Sequence, residues 1–459
     1  MSLDRQDDSK LAHLPQEFGD RLTGPLSRFL RIEAAGGVVL LLFTVAALAL
    51  SNSPWAQLYA DAWEMRVGLQ AGPLEYARSS REWINDGLMT LFFFLVALEL
   101  KRELVLGELN NPRMAALSIA AALGGMLVPA VLYLMLQWDQ PGQHGWGTVM
   151  ATDTAFVIGC LALLGTRIPQ SLRVFMLSLA IVDDLGAILV VAIGYSGQIA
   201  WGMVALAALG LAIVRAMALV GFRGFPIYFL VGGLIWLAVD ASGIHATVTG
   251  VILGLMTPAR RWVSDARLYA ILGQVVAHPS NEEESGDTRD RETLQAAEIA
   301  ARETLSPAER LGIALHPWIG FVVMPLFAFA NAGLPLSFGE LGNSVTLAVF
   351  VGFAIGKPMG VLTFSWLAVR SGIATRPPDL GWGLMAGGGL LAGIGFTMAL
   401  FIANLAFAKI LIDSAKLGIF AASVFSAVAG LAFLMWMSAR EAAPSATPTA
   451  APRTAPPAP

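Results

Sequence analysis

The sequence contains few of the residues that soluble proteins place at their surfaces. Only 14% of its 459 residues are charged, and the net charge is −4, whereas soluble domains carry about 25% charged residues. The single cysteine, Cys160, excludes a disulfide framework and zinc-finger or iron–sulfur sites. The lack of a basic surplus argues against nucleic-acid binding. No basic segment leads into a short apolar run with a cleavage site, so we expect no signal peptide.

Long apolar runs are what the sequence has in abundance. It is 56% hydrophobic, with a mean hydropathy of +0.66. A bilayer core of about 30 Å requires about 20 apolar residues in a helix. The pattern predicts an all-α polytopic membrane protein with about twelve transmembrane helices. The runs that fit lie near 34–51, 86–104, 115–136, 147–165, 172–195, 200–221, 225–240, 244–256, 316–333, 345–369, 383–408 and 416–438.

Polar segments and basic residues predict the organisation of the chain. Lys and Arg concentrate in the short loops on one side of the predicted membrane, which indicates that both termini are cytoplasmic. In the loop after the eighth run we expect one amphipathic helix near Thr293–Thr304. The expected regions are a cytoplasmic N-terminal segment (1–33), transmembrane helices 1–8 (34–256), an acidic cytoplasmic loop (257–315), transmembrane helices 9–12 (316–438) and a disordered Ala/Pro tail (439–459).

The connector after the first run, about 52–83, has the pattern of a β-hairpin. Apolar and polar residues alternate around Met65–Leu69, and a turn signal follows at Gln70–Pro73. A free strand edge invites pairing with a second copy. The alternative is a hairpin that only covers its own helices.

Four ionisable residues lie near the centres of apolar runs, namely Asp153, Asp183, Asp184 and Lys357. Each costs at least about 2.5 kcal/mol to insert and is therefore a functional candidate. Asp183 and Asp184 point about 100° apart on a helix, so we expect one to face a water-filled cavity and the other a neighbouring helix. Lys357 is either a counter-ion for a buried aspartate or a direct participant in transport.

The fourth and eleventh runs carry signs of interruption. Asp153 stands between hydroxyl residues that favour helix poorly, and Gly387–Gly389 and Gly393–Gly395 divide the eleventh run. The runs three to five and ten to twelve are seven apart in order, so the two triplets cross the membrane in opposite directions. This arrangement is typical of inverted-topology repeats around a binding site. Close helix packing is the alternative explanation for the glycines.

Three further ionisable residues allow simpler interpretations. His245 can titrate near neutral pH, although a lone histidine in such a segment is more often a satisfied core residue. Glu99 and Glu103 close the second run and fit an interfacial anchor.

Seven motifs together resemble the NhaA family of bacterial sodium/proton antiporters, an inverted-repeat transporter family. In this order and spacing they are highly specific, and the similarity runs from about Arg28 to Ser438. The matching segments are Phe92–Glu103, Ala151–Pro169, Leu179–Ile188, Gly243–Gly250, His316–Gly333, Gly356–Gly360 and Gly393–Ala403.

The resemblance implies the fold and the residues of the site. It implies twelve helices with the fourth and eleventh unwound and crossing near the membrane centre. It implies that Asp184, with Asp183, carries the exchanged ion, and that Thr152 and Asp153 stand at the unwound part of the fourth helix. Lys357 would balance charge there and can pair with Asp183.

The resemblance also implies the activity and its setting. The expected activity is electrogenic exchange of Na⁺, and of Li⁺, for H⁺ across the inner membrane, serving pH homeostasis and salt tolerance, with no enzymatic reaction and no cofactor. The expected partners are membrane lipid, small cations and a second copy joined through the hairpin. Candidate pH-response residues are Glu99, Glu103, His245 and His316.

Two other functions remain open at this point. A Na⁺-coupled organic anion symporter of related fold would need a basic group at the cavity beyond Lys357, and Arg215 lies near a helix end. An intramembrane aspartyl protease also uses paired membrane aspartates, but it would carry a Gly-x-Gly-Asp motif, which is absent from the sequence.

Overall fold

The structure is a computed structural model that describes residues 33–71, 74–107, 111–222, 224–259, 261–277, 288–335 and 342–442. Nearly all of the expected N-terminal segment and most of the expected Ala/Pro tail lie outside the described residues. The described chain is mostly helical. The first helices are α1 Glu33–Ser51, α2 Ala56–Glu64, α3 Ser80–Glu82, α4 Met89–Leu106, α5 Pro112–Leu136, α6 Thr154–Leu164, α7 Gln170–Gly194, α8 Trp201–Val220, α9 Phe225–Ala241 and α10 Val248–Met256.

The remaining helices follow the long polar interruption of the sequence. They are α11 Asp265–Ala277, α12 Thr288–Glu303, α13 Pro307–Trp318, α14 Met324–Asn331, α15 Ser344–Val351, α16 Lys357–Arg370, α17 Trp382–Ala392, α18 Phe396–Ala406 and α19 Ile412–Ala442. Three π-helical turns, Trp83–Leu88, Ile319–Val323 and Gly352–Gly356, connect consecutive helices.

Eight helical segments of the described chain are long and apolar enough to cross a membrane, or ten if two bent pairs each count as one span. One bent pair is α1 with α2, at 114°, and the other is α17 with α18, at 47°. The difference from the twelve apolar runs lies in α9 and α10, which have 17 and 9 residues. At 1.5 Å per residue these helices are about 26 Å and 14 Å long, shorter than a bilayer core.

The segment 257–315 contains more helix than its composition suggests. We expected a loop with one amphipathic helix near Thr293–Thr304, but the structure has α11 as well as α12, and α13 already begins at Pro307. The ninth run therefore starts about two and a half turns earlier than hydropathy indicated. The reason is local, because Ser306 and Glu309 form a capping box that satisfies the first amides of α13.

Glycines bring α5 and α16 into direct backbone contact. A methyl group added to Gly360 would lie 2.0 Å from the carbonyl oxygen of Gly124, and one added to Gly124 would lie 2.1 Å from that of Gly360. Small residues permit such close approach between membrane helices. Lys357 stands one turn before Gly360, so this contact fixes where its side chain enters the interior.

The hairpin expected after the first run is present. Strands β1 Arg66–Ala71 and β2 Leu74–Ser79 pair antiparallel, with Arg66 opposite Ser79. Val67 on β1 is exposed.

Side chains of β2 hold the hairpin onto the helices. Arg78 contacts Asp86 in the π-helical turn before α4 at 2.5 Å and Asp240 at the end of α9 at 2.5 Å. The Tyr76 hydroxyl donates to the Asp240 carboxylate at 2.9 Å. Burial and this neighbouring carboxylate raise the pKa of Tyr76 to about 12, so the phenol remains a donor across the physiological pH range.

Candidate functional site

Two breaks in the helices meet in the interior. Residues 151–153 precede α6 without helical structure, and residues 393–395 separate α17 from α18. The Asp153 amide donates to the Ile394 carbonyl at 2.6 Å, and the Thr152 hydroxyl donates to the Ala392 carbonyl at 3.0 Å. Each break thus satisfies backbone groups that the other leaves free, which is the condition for irregular backbone at membrane depth.

Asp153 neutralises the positive ends of two helices at these breaks. It is the N-cap of α6, where its carboxylate accepts from the Phe156 amide at 3.2 Å. The same carboxylate accepts from the Thr397 amide at 2.9 Å and from the Thr397 hydroxyl, in the first turn of α18. Anionic groups are stabilised at helix N-termini. Both carboxylate oxygens of Asp153 are therefore already engaged.

Asp183 forms an ion pair with Lys357 in the same region. Asp183 lies on α7 and Lys357 is the first residue of α16, and both side chains are fully buried. The Lys357 ammonium also donates to the Thr152 hydroxyl at 2.6 Å. The π-helical turn Gly352–Gly356 immediately precedes Lys357, so the irregular backbone of this turn positions the ammonium group in the interior. Such turns are frequent at functional sites.

Among the described residues, Asp183 and Asp184 each have one carboxylate oxygen without a hydrogen-bond partner. Asp183 is paired with the Lys357 ammonium, whereas the partner of Asp184 is a neutral hydroxyl. The Asp184 side chain is 1% exposed. One carboxylate oxygen accepts from the Thr154 hydroxyl at 3.1 Å, and the other has no hydrogen-bond partner among the described residues. A buried carboxylate with an unsatisfied oxygen is costly, so this group is suited to take up either a proton or a cation. Asp184 can therefore accept a further ligand, whereas both carboxylate oxygens of Asp153 are already hydrogen-bonded.

The structure brings together Thr152, Asp153, Asp183, Asp184 and Lys357, the predicted ion-binding and supporting residues. Sequence reasoning missed Thr154 and Thr397 as site residues. The available signals were weak, because Thr154 adjoins Asp153 and Thr397 follows the glycine break by two positions. Only the packing of α6 against α7 and α18 shows that these hydroxyls face carboxylates.

The candidate pH-response residues lie apart from this cluster. Glu99 and His316 line a cavity of about 240 Å³ that also involves Arg102 and Glu309. Glu103, one turn beyond Glu99, is half-buried. His245 bonds through Nε2 to the Tyr195 carbonyl at 2.9 Å, which fits the simpler interpretation of a satisfied histidine.

The fold and the site define a multi-pass helical membrane protein with a charged centre buried between interrupted helices. A family model described as Na⁺/H⁺ antiporter 1 matches residues 27–434. The chain belongs to this family.

Curated relatives cover almost the whole chain. It is 62% identical to "Na(+)/H(+) antiporter NhaA 2" of Acidiphilium cryptum (strain JF-5), over 95% of this chain and 97% of the relative. It is 58% identical to "Na(+)/H(+) antiporter NhaA" of Rhizobium meliloti (strain 1021), over 92% and 96%. The expected family resemblance is confirmed. A solved sodium proton antiporter, MjNhaP1 from Methanocaldococcus jannaschii, covers 91% of this chain at 12% identity with a TM-score of 0.46, too distant to support an argument.

Proposed function

We propose that this protein exchanges Na⁺, and also Li⁺, for H⁺ across the bacterial cytoplasmic membrane. Membership of the Na⁺/H⁺ antiporter 1 family supports the reaction. The observation that carries the assignment to a site is Asp184, a buried carboxylate with one oxygen unpartnered among the described residues. Carboxylate oxygens are the ligands that hard cations prefer.

Exchange follows if cation and proton compete for the same carboxylate. An empty, charged Asp184 in the interior is unfavourable, so the site is occupied either by Na⁺ or by H⁺. A pocket that holds one or the other, and that opens alternately to the two sides of the membrane, couples the two fluxes. Asp183 shares the site as the neighbouring carboxylate, and Thr152 and Asp153 support it from the break before α6.

Lys357 balances charge during this cycle. Its ammonium forms an ion pair with Asp183. The arrival of Na⁺ adds a positive charge beside this pair, and Lys357 responds by releasing Asp183 or its own proton. A cycle in which more than one proton is exchanged for each Na⁺ moves net charge and is electrogenic.

We propose that the architecture has twelve membrane helices in inverted repeats, with the fourth and eleventh unwound and crossing near the membrane centre. The breaks at 151–153 and 393–395 and the bonds between them support this arrangement. Both termini would be cytoplasmic. The short helices α9 and α10 would serve as the seventh and eighth spans.

The proposal extends to assembly and regulation. The exposed face of β1 supports a homodimer formed by pairing hairpins from two copies. The cavity lined by Glu99 and His316 supports a pH response there, with Glu103 and His245 as further candidates. In the cell, exchange would contribute to pH homeostasis and salt tolerance.

The experiment uses everted membrane vesicles whose lumen has been acidified, with a dye that reports the pH gradient. Addition of Na⁺, Li⁺ and then K⁺ at several pH values tests exchange and its selectivity. We expect Na⁺ and Li⁺ to dissipate the gradient. We expect Asp184→Asn to abolish the response while the protein still inserts, because the amide cannot exchange a proton for a cation. Asp265→Asn, at a highly exposed position on α11, is the matched control and should remain active.

Two results would contradict the proposal. Full exchange by a well-expressed Asp184→Asn protein would remove Asp184 from the centre of the mechanism. A wild-type protein that responds to no cation at any pH would refute Na⁺/H⁺ exchange. Substrate-dependent Na⁺ uptake or Na⁺-independent protein cleavage would then identify a symporter or a protease.

A further inference from the structure

Thr154 is the residue whose side chain contacts the Asp184 carboxylate. Its hydroxyl donates to Asp184 Oδ2 at 3.1 Å. Within the described part of the chain no other hydrogen bond to this carboxylate is present. Thr154 is half-buried, whereas Asp184 is only 1% exposed. Thr154 is therefore the more accessible of the two residues.

Apart from one carboxylate oxygen of Asp183, which has no partner among the described residues, the other side-chain oxygens of the cluster are already engaged. The Thr152 hydroxyl accepts from Lys357 and donates to the Ala392 carbonyl. The Asp153 carboxylate accepts from Thr397 and Phe156. A hydroxyl has one proton to donate and two lone pairs, so the Thr154 oxygen still has lone pairs that can face a cation.

We propose that Thr154 is a direct ligand of the transported cation and helps to set the preference between Na⁺ and Li⁺. This inference rests on the proposed function of Asp184. In the structure the Thr154 hydroxyl donates to the Asp184 carboxylate. When a cation binds at Asp184, the proton turns away and the same oxygen joins the two carboxylate oxygens around the ion.

The position of Thr154 is fixed well enough for this task. It is the first residue of α6. The preceding residue, Asp153, is held by the capping hydrogen bond that its side chain accepts and by the hydrogen bond that its amide donates to the Ile394 carbonyl. A ligand held on a fixed backbone contributes to selectivity, because cavity size and ligand number discriminate between hard cations. The smaller Li⁺ needs fewer oxygen ligands than Na⁺, so loss of one ligand should penalise Na⁺ more.

The test compares three variants in the vesicle assay with both cations. Thr154→Val removes the hydroxyl and keeps the shape, and Thr154→Ser keeps the hydroxyl. Thr363→Val is the matched control, since the Thr363 hydroxyl bonds to the Met359 carbonyl of its own helix at 2.7 Å on an exposed face. We expect Thr154→Val to raise the KM for Na⁺ about tenfold, or about 1.4 kcal/mol, with a smaller rise for Li⁺.

The remaining readouts separate a ligand from a structural residue. The maximal rate and the melting temperature of Thr154→Val should stay close to those of the wild type, and Thr154→Ser and Thr363→Val should keep the wild-type KM. An unchanged KM for both ions in Thr154→Val would overturn the inference. So would a fall in rate and melting temperature that Thr154→Ser shares. Either result would overturn the inference about Thr154 while the wild-type protein still exchanged Na⁺ for H⁺. A wild-type protein that showed no exchange would instead refute the proposed function itself.

Discussion

The ion pair between Lys357 and Asp183 offers the sharpest test of how the charges in this interior depend on one another. Lys357→Met keeps most of the length of the side chain and removes its charge. Asp183 then keeps a carboxylate in a fully buried place, without its cation. Breaking a buried pair from one side costs about 3–5 kcal/mol. Asp183→Asn, which leaves the ammonium without its anion, should cost a similar amount.

The double variant Lys357→Met/Asp183→Asn decides whether the cost comes from the pair. It leaves no unpaired charge at this position. Its loss in free energy of unfolding should therefore be smaller than the sum of the losses in the two single variants. Contacting residues show coupling energies of about 0.5–3 kcal/mol, and we expect the upper end here because both side chains are shielded from water.

The measurement is the free energy of unfolding by denaturant titration in detergent micelles, accompanied by Na⁺-dependent exchange and by the transmembrane potential that exchange generates. We expect Lys357→Met to lose stability and electrogenicity to a greater degree than affinity for Na⁺. Additive effects, within about 0.5 kcal/mol, would refute the reasoning about the pair. A Lys357→Met protein of normal stability and electrogenicity but without Na⁺ affinity would refute the assigned role.

Two further substitutions test how the helices and the hairpin are held. Gly360→Ala places a methyl group 2.0 Å from the carbonyl oxygen of Gly124 and should destabilise the protein by about 3 kcal/mol or more, because backbone cannot yield as a side chain does. Gly159→Ala, with open space around it, is the control in the same unfolding assay, and equal stability of the two would contradict the packing argument. Arg78→Gln leaves two aspartates without their cation and should cost about 2 kcal/mol. Arg66→Gln, on the exposed partner strand, should cost little, and a similar loss in both would show that the ion pairs do not hold the hairpin.

Local physical chemistry accounts for the features that could be predicted along the chain. A run of apolar residues is costly to expose and long enough to span a bilayer, so the multi-pass class follows from hydropathy. The β-hairpin follows from alternation and turn residues within one connector. A charge inside an apolar run marks a functional candidate, because inserting it into the membrane costs free energy whatever the position of that helix in the fold. Asp153, Asp183, Asp184 and Lys357 were identified in this way.

Helix content in the polar segment was underestimated for a related reason. Hydropathy detects membrane spans, but it is insensitive to amphipathic helices that lie in water. The early start of α13 depends on capping at Ser306 and on the hydrogen bond from the Ala308 amide to the Pro258 carbonyl.

The tertiary structure alone decided how the charges share their partners. The sequence determined that Asp183 and Asp184 point in different directions, since neighbouring residues on a helix diverge by about 100°. Which of them meets Lys357 depends on where α16 packs, and its glycine contact with α5 settles that placement. The same holds for Asp153, which serves two helix N-termini, and for Thr154, which reaches Asp184. These contacts join residues that are far apart in the chain or that lie on different helices. Local sequence patterns do not predict how such helices are rotated relative to one another.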